Sequence, residues 1–109
     1  MAKYTANRDA RSKVQQRLSF RSKNGNLFGL NTVVFDLYVV YSYGYHWPLF
    51  IYVKSIDRWF ENIDKYGVTT SKHHTQTHPH TETTGLSCDD MRLLADHGYD
   101  ALARKLVVR

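Results

Sequence analysis

The run Val33 to Tyr45 constrains the fold more than any other stretch of this chain. Val33, Phe35, Leu37, Val39, Tyr41, Tyr43 and Tyr45 alternate with Val34, Asp36, Tyr38, Val40, Ser42, Gly44 and His46. Successive side chains of a strand point to opposite faces, so the alternation sorts these residues into two sets. The first set is expected in the core. The second mixes polar groups with aromatics and is expected on a functional face. Pro48 fits the first position of a following strand, where its missing N–H is tolerated, and Leu49 to Val53 continues that strand.

Turn signals divide the rest. Lys23-Asn24-Gly25-Asn26 predicts a hairpin turn, because Asn-Gly accepts positive φ at both central positions. Val14 to Phe20 alternates weakly and is expected to open a strand before it, with Leu27 to Leu30 as a short strand after it. Lys54 to Asp57 reads as a turn, Arg58 to Glu61 as a returning strand, Asn62 to Gly67 as a polar bend and Val68 to Ser71 as a last short strand. Residues 73–86 are poor in apolar side chains and rich in Thr and His, which predicts an exposed loop. The period then changes. Ser87 suits an N-cap, Asp89 and Asp90 complement the dipole of a first turn, and Met91, Leu93 and Leu94 supply an apolar stripe that Gly98 stops. Tyr99, Leu102, Ala103 and Leu106 share one face of a second helix over Tyr99 to Val107. The expected fold class is α+β: a curved antiparallel β-sheet of about four to six strands followed by two short C-terminal helices.

At 109 residues the chain is expected to form one domain, residues 13–109, preceded by a flexible basic arm over residues 1–12. No apolar run approaches the roughly 20 residues that cross a bilayer, and Asp36 interrupts the longest one. The N-terminus is polar. A soluble, cytoplasmic protein with no membrane partner is therefore expected. Cys88 is the single cysteine, so no intrachain disulfide can form, and it reads as a small residue in the first turn of a helix. Nothing in the sequence calls for a cofactor.

The net charge of +5 is local. Lys3, Arg8, Arg11, Lys13, Arg17, Arg21 and Lys23 oppose only Asp9, and the remaining residues are nearly balanced. Such a basic segment is the footprint of contact with a polyanion, for which Arg8, Arg11, Lys13, Arg17 and Arg21 are the candidates. A solvated terminus that only aids solubility has the same composition.

Four groups carry chemistry. Tyr43, His46, Lys72 and His73 have the side chains of an acid–base site, since imidazole exchanges protons near neutral pH and a lysine stabilises an oxyanion. Thr69-Thr70-Ser71-Lys72 gathers hydroxyls, backbone N–H groups and a cation, which suits a phosphate or carboxylate but lacks the glycines of a P-loop. His74, His78 and His80, with His73 before them, are metal-ligand types in a spacing that matches no closed zinc pattern. The tyrosines suit base stacking, protein–protein anchoring and a plain core equally. Tyr41 and Trp59 are expected in the core, and His46, Lys72 and His73 at the surface. The C-terminal helix pair is a poor match to a DNA-reading helix-turn-helix, because few groups on its second helix suit base readout.

The order Tyr41-Ser42-Tyr43-Gly44-x-His46-Trp47-Pro48, then Trp59, Asn62, Asp64-Lys65-Tyr66 and Thr69-Thr70-Ser71-Lys72-His73, resembles a family of small phage and mobile-element proteins built on a domain of unknown function. The resemblance covers about residues 38 to 79. In that pattern a Gln follows the histidine, where this chain has His74, while Gln76-Thr77-His78-Pro79 keeps a Gln-x-x-Pro. The departure weakens the histidine run as a family metal site. The resemblance implies an accessory protein and supplies no catalytic residues. Small accessory proteins of phages often block a host machine, including CRISPR effectors and restriction systems. The expected function is a non-enzymatic protein that binds nucleic acid or a host nucleoprotein machine as a counter-defence inhibitor. Its expected binding residues are Tyr43, Tyr45, His46, Lys65, Thr70, Ser71, Lys72 and His73. The alternative is a small metal-independent nuclease or other phosphate-directed enzyme using His46, Lys72 and His73. Both monomer and homodimer stay open.

Overall fold

A computed structural model describes residues 4–23, 25–64 and 67–108. Among them lie six strands in one sheet, in chain order β1 (Phe20–Arg21), β2 (Leu27–Thr32), β3 (Leu37–Ser42), β4 (Pro48–Val53), β5 (Arg58–Asn62) and β6 (Thr83–Leu86). The first five form an antiparallel meander, and β6 joins β5 in parallel. Four α-helices complete the fold: α1 (Ala10–Gln15), α2 (Val68–Thr77), α3 (Cys88–His97) and α4 (Tyr99–Val108). The α+β class and the two short C-terminal helices are as the sequence predicts. No helix among the described residues is long and apolar enough to cross a membrane.

The helices cover both faces of the sheet, and this explains why β3 and β4 are buried at every position. On one face Leu37, Val39, Tyr41, Ile51, Val53 and Phe60 meet Met91, Leu94 and Leu102 of α3 and α4. On the other, Tyr38, Val40, Phe50, Tyr52 and Trp59 meet Ala10 and Val14 of α1. Tyr41 and Trp59 are core residues, as expected. The alternation from Val33 to Tyr45 thus separates two cores instead of core from solvent. A bulge at Val40/Tyr41 shifts the register, so that Tyr41 pairs with Pro48. Gly29 is required opposite it: a Cβ there would lie 2.5 Å from the Tyr38 hydroxyl and 2.6 Å from the Phe20 ring.

Several expectations are corrected. The strand ends are trimmed, because residues 33–36 and 43–47 turn; Val33 is 95% exposed, and Phe35 is exposed rather than core. Residues 1–12 were expected to be loose and Val14 to Phe20 to form a strand. Instead a 3-10 turn at Asn7–Asp9 leads into α1, whose Ala10 and Val14 are buried against the sheet. Val68 to Ser71 is helical, and the loop expected over residues 73–86 contains the second half of α2 and all of β6. The physical reason is the crossover: a parallel β5–β6 pair needs a long connection, and a helix is its usual form. At the C-terminus the predicted signals hold. The Ser87 hydroxyl accepts from the Asp90 N–H, and Gly98 ends α3 with φ 88°. Cys88 is buried in the first turn of α3.

Candidate nucleic-acid interface

The ends of β1, β3 and β5 and the starts of β2 and β4 lie at one end of the sheet, where residues 43–47 turn. The 43–47 turn is tied to its neighbour by the Tyr43 N–H, which donates to the Asn26 carbonyl at 2.7 Å. Tyr43 (φ 62°) and Gly44 (φ 114°) both have left-handed backbones. Such a conformation costs a bulky residue on the order of 1–3 kcal/mol and tends to occur at functional sites. It sends the two tyrosines to opposite faces. The Tyr43 ring lies 5.7 Å from that of His73 in α2. The Tyr45 ring lies 5.3 Å from Phe28 and 5.0 Å from Tyr41, and Phe28 and Tyr41 stack on each other. The Arg21 guanidinium sits 5.1 Å from the centre of the Phe28 ring. Tyr45 remains 64% exposed on this aromatic ledge. Burial, with smaller contributions from Asp96 and Tyr45, pushes the Tyr41 hydroxyl up to about 12, so it stays protonated. Lys23 and His46 are exposed at the same end. The His46 carbonyl accepts from the Cys88 thiol at 3.7 Å.

α2 starts at this end and docks through polar groups. Its buried residues are Thr70, His73 and Thr77. The His73 Nδ1 and the Ser42 Oγ are 2.8 Å apart, and the Ser42 and Thr70 hydroxyls 3.2 Å. The Thr77 hydroxyl donates to the His73 carbonyl at 2.7 Å. His73 is 3% exposed, which corrects its expected place at the surface. Burial holds its pKa below the ordinary value. Thr70 belongs to the same buried contact. Ser71 and Lys72 face outward on the helix, near an N-terminus whose dipole favours anions. Lys65 lies outside the described residues. The expected set therefore divides: Tyr43, Tyr45, His46, Ser71 and Lys72 are at the surface, and Thr70 and His73 fix the helix that carries two of them.

The five arm candidates do not act as one arm. Arg8 lies 3.9 Å from Asp9. Arg11 donates to the carbonyls of Thr75 and His78, holding α1 to the end of α2. Lys13 is half-buried. Arg17 lies over the Tyr52 ring at the opposite end of the sheet. Only Arg21 reaches the aromatic ledge.

Sequence reasoning missed a cluster at Glu61. One carboxylate oxygen is 2.8 Å from the His74 Nε2 and the other 3.5 Å from the His78 Nε2. Thr83 donates its hydroxyl to the same group, and Phe50 stacks on His74. A cleft of about 400 Å³ adjoins it, lined by His74, Glu61, Asp64 and Ser71. The i, i+4 spacing of His74 and His78 would have revealed the pair had the segment been read as a helix. The His78 Nδ1 accepts from the His80 N–H, which leaves the proton on Nε2, facing Glu61. His78 thus has no Nε2 lone pair to give a metal. Among the described residues no three His, Cys, Asp or Glu side chains are arranged to hold a metal ion.

No protein-family model, curated protein or solved structure matches this chain.

Proposed function

We propose that this protein binds nucleic acid, or a nucleoprotein machine that presents it, as a small accessory protein of a phage or mobile element directed against host defence. The observation that carries the binding reading is the exposed Tyr45 ring, held on Phe28 and Tyr41 with the Arg21 guanidinium beside them. A rigid, exposed aromatic surface next to a cation is the means by which sequence-tolerant proteins stack bases and hold the backbone. Lys23, Lys72 and the N-terminus of α2 add positive potential near the same sheet end. The biological setting rests on the resemblance of residues 38 to 79 to the phage family.

A second reading, an acid–base enzyme, draws on the Glu61–His74 pair in its cleft. It no longer draws on His46, Lys72 and His73 together, because His73 is enclosed by Ser42 and Thr70. Incubation with labelled RNA and DNA, with and without EDTA, separates the two. The binding reading predicts intact, retarded oligonucleotide. Cleavage that survives EDTA and is lost in His74→Gln would replace it with the enzymatic one.

A further inference from the structure

A cleft of about 490 Å³ lies at the other end of the sheet from Tyr45, between α1, the β4–β5 turn and β6. Its volume falls in the range of small-ligand sites. Three observations give it a chemistry. The Arg17 guanidinium carbon sits over the Tyr52 ring, 4.5 Å from its centre, and one of its N–H groups donates to the Gln15 carbonyl. Tyr52 is itself fixed, because its hydroxyl donates to Asp57 and its ring rests on Trp59. Arg17 is exposed, so its guanidinium is a planar cation with the Tyr52 ring beneath it and access to solvent. Arg58, which lines the same cleft, is exposed and has no ion-pair or hydrogen-bond partner for its side chain among the described residues.

We infer that this cleft binds a nucleoside phosphate. The base stacks on the guanidinium of Arg17, the arrangement by which guanidinium planes take unpaired bases. The phosphate pairs with Arg58, whose forked N–H groups match its oxygens. The Asp57 carboxylate accepts from the Tyr52 hydroxyl and forms no ion pair with Arg58 among the described residues. Glu82 also lines the cleft, and its charge opposes additional phosphates, which favours a monophosphate over a triphosphate. The ligand comes either as a free nucleotide or as the 5′-phosphorylated end of a strand. The site does not depend on the Tyr45 ledge.

Titration with AMP, adenosine and inorganic phosphate, followed by the fluorescence of Trp59 and by calorimetry, tests the assignment. AMP is expected to bind saturably, with adenosine and phosphate each at least tenfold weaker. Arg58→Ala should weaken AMP about tenfold and leave adenosine unchanged. Arg17→Lys, which keeps the charge and loses the plane, should weaken adenosine and AMP alike, with melting curves showing both variants folded. Competition by a 5′-phosphorylated oligonucleotide in a Tyr45→Ala background would identify the strand end as the source, and its absence the free nucleotide. No saturable AMP binding, equal affinity for AMP and phosphate, or indifference to both substitutions would overturn the site, whatever the fate of nucleic-acid binding at Tyr45.

Discussion

Tyr45 and Trp59 separate the proposed recognition from stability. Tyr45 is mostly exposed, whereas Trp59 is buried against Tyr38 and Tyr52. Tyr45→Ala is therefore expected to cost about 2 kcal/mol or more of binding, the scale of an interface anchor, and to leave the melting temperature nearly unchanged. Trp59→Ala should lose about 3–5 kcal/mol of stability through cavity formation, read by denaturant unfolding. His73 gives a pH dependence. Burial disfavours its charged form, so the folded protein takes up this proton at lower pH than the unfolded chain, whose ordinary value is 6.5. The stability it contributes is complete above that value and is lost as the pH falls through the window below it. Unfolding curves collected across that window should show a wild-type decline that is shallower in His73→Gln. Equal slopes in the two proteins would remove His73 as the cause.

At the scale of elements, legibility followed the chemistry of burial. α3 announced itself because Ser87 caps it, Asp89 and Asp90 sit in its first turn, and Met91 and Leu94 recur at helical spacing. The meander was legible from Asn24-Gly25, Pro48 and the alternating apolar runs. α2 was hidden because it has no apolar stripe: hydroxyls and an imidazole occupy its inner face, and Val68, its one large aliphatic side chain, is exposed. α1 was hidden because only two of its six residues, Ala10 and Val14, are buried. Missing these two helices also misplaced the site, since His73 was read as a loop residue and Glu61 was left without its histidines. The alternation placed Tyr43 and Tyr45 on the core face of an unbroken strand, whereas the turn over residues 43–47 leaves both exposed; Lys72 is exposed as expected, but on a helix. Arg11 tests how α1 and α2 depend on each other. Arg11→Met keeps the stem and removes both bonds to the end of α2. Hydrogen bonds from a charged group contribute about 1.5–3 kcal/mol, so this variant should lose stability on that scale and show faster amide exchange in α2 than in α3. A fully stable variant with unchanged exchange would mean that the two helices are held by other contacts.

For the whole molecule, the proposed nucleic-acid surface is the Tyr45 ledge with Arg21 beside it. Truncating the N-terminal segment cannot test it, because Ala10 and Val14 belong to the core. Point substitution can. The decisive measurement is the affinity for short labelled oligonucleotides as a function of salt, for the wild type and for Tyr45→Ala and Arg21→Ala. A surface that neutralises Z phosphates of a single strand should show a slope of about −0.7Z in log affinity against log salt. The account predicts measurable wild-type binding, a marked loss in Tyr45→Ala with the slope preserved, and in Arg21→Ala a slope shallower by about one phosphate contact. Absence of binding at low salt, or binding that neither substitution alters, would contradict it.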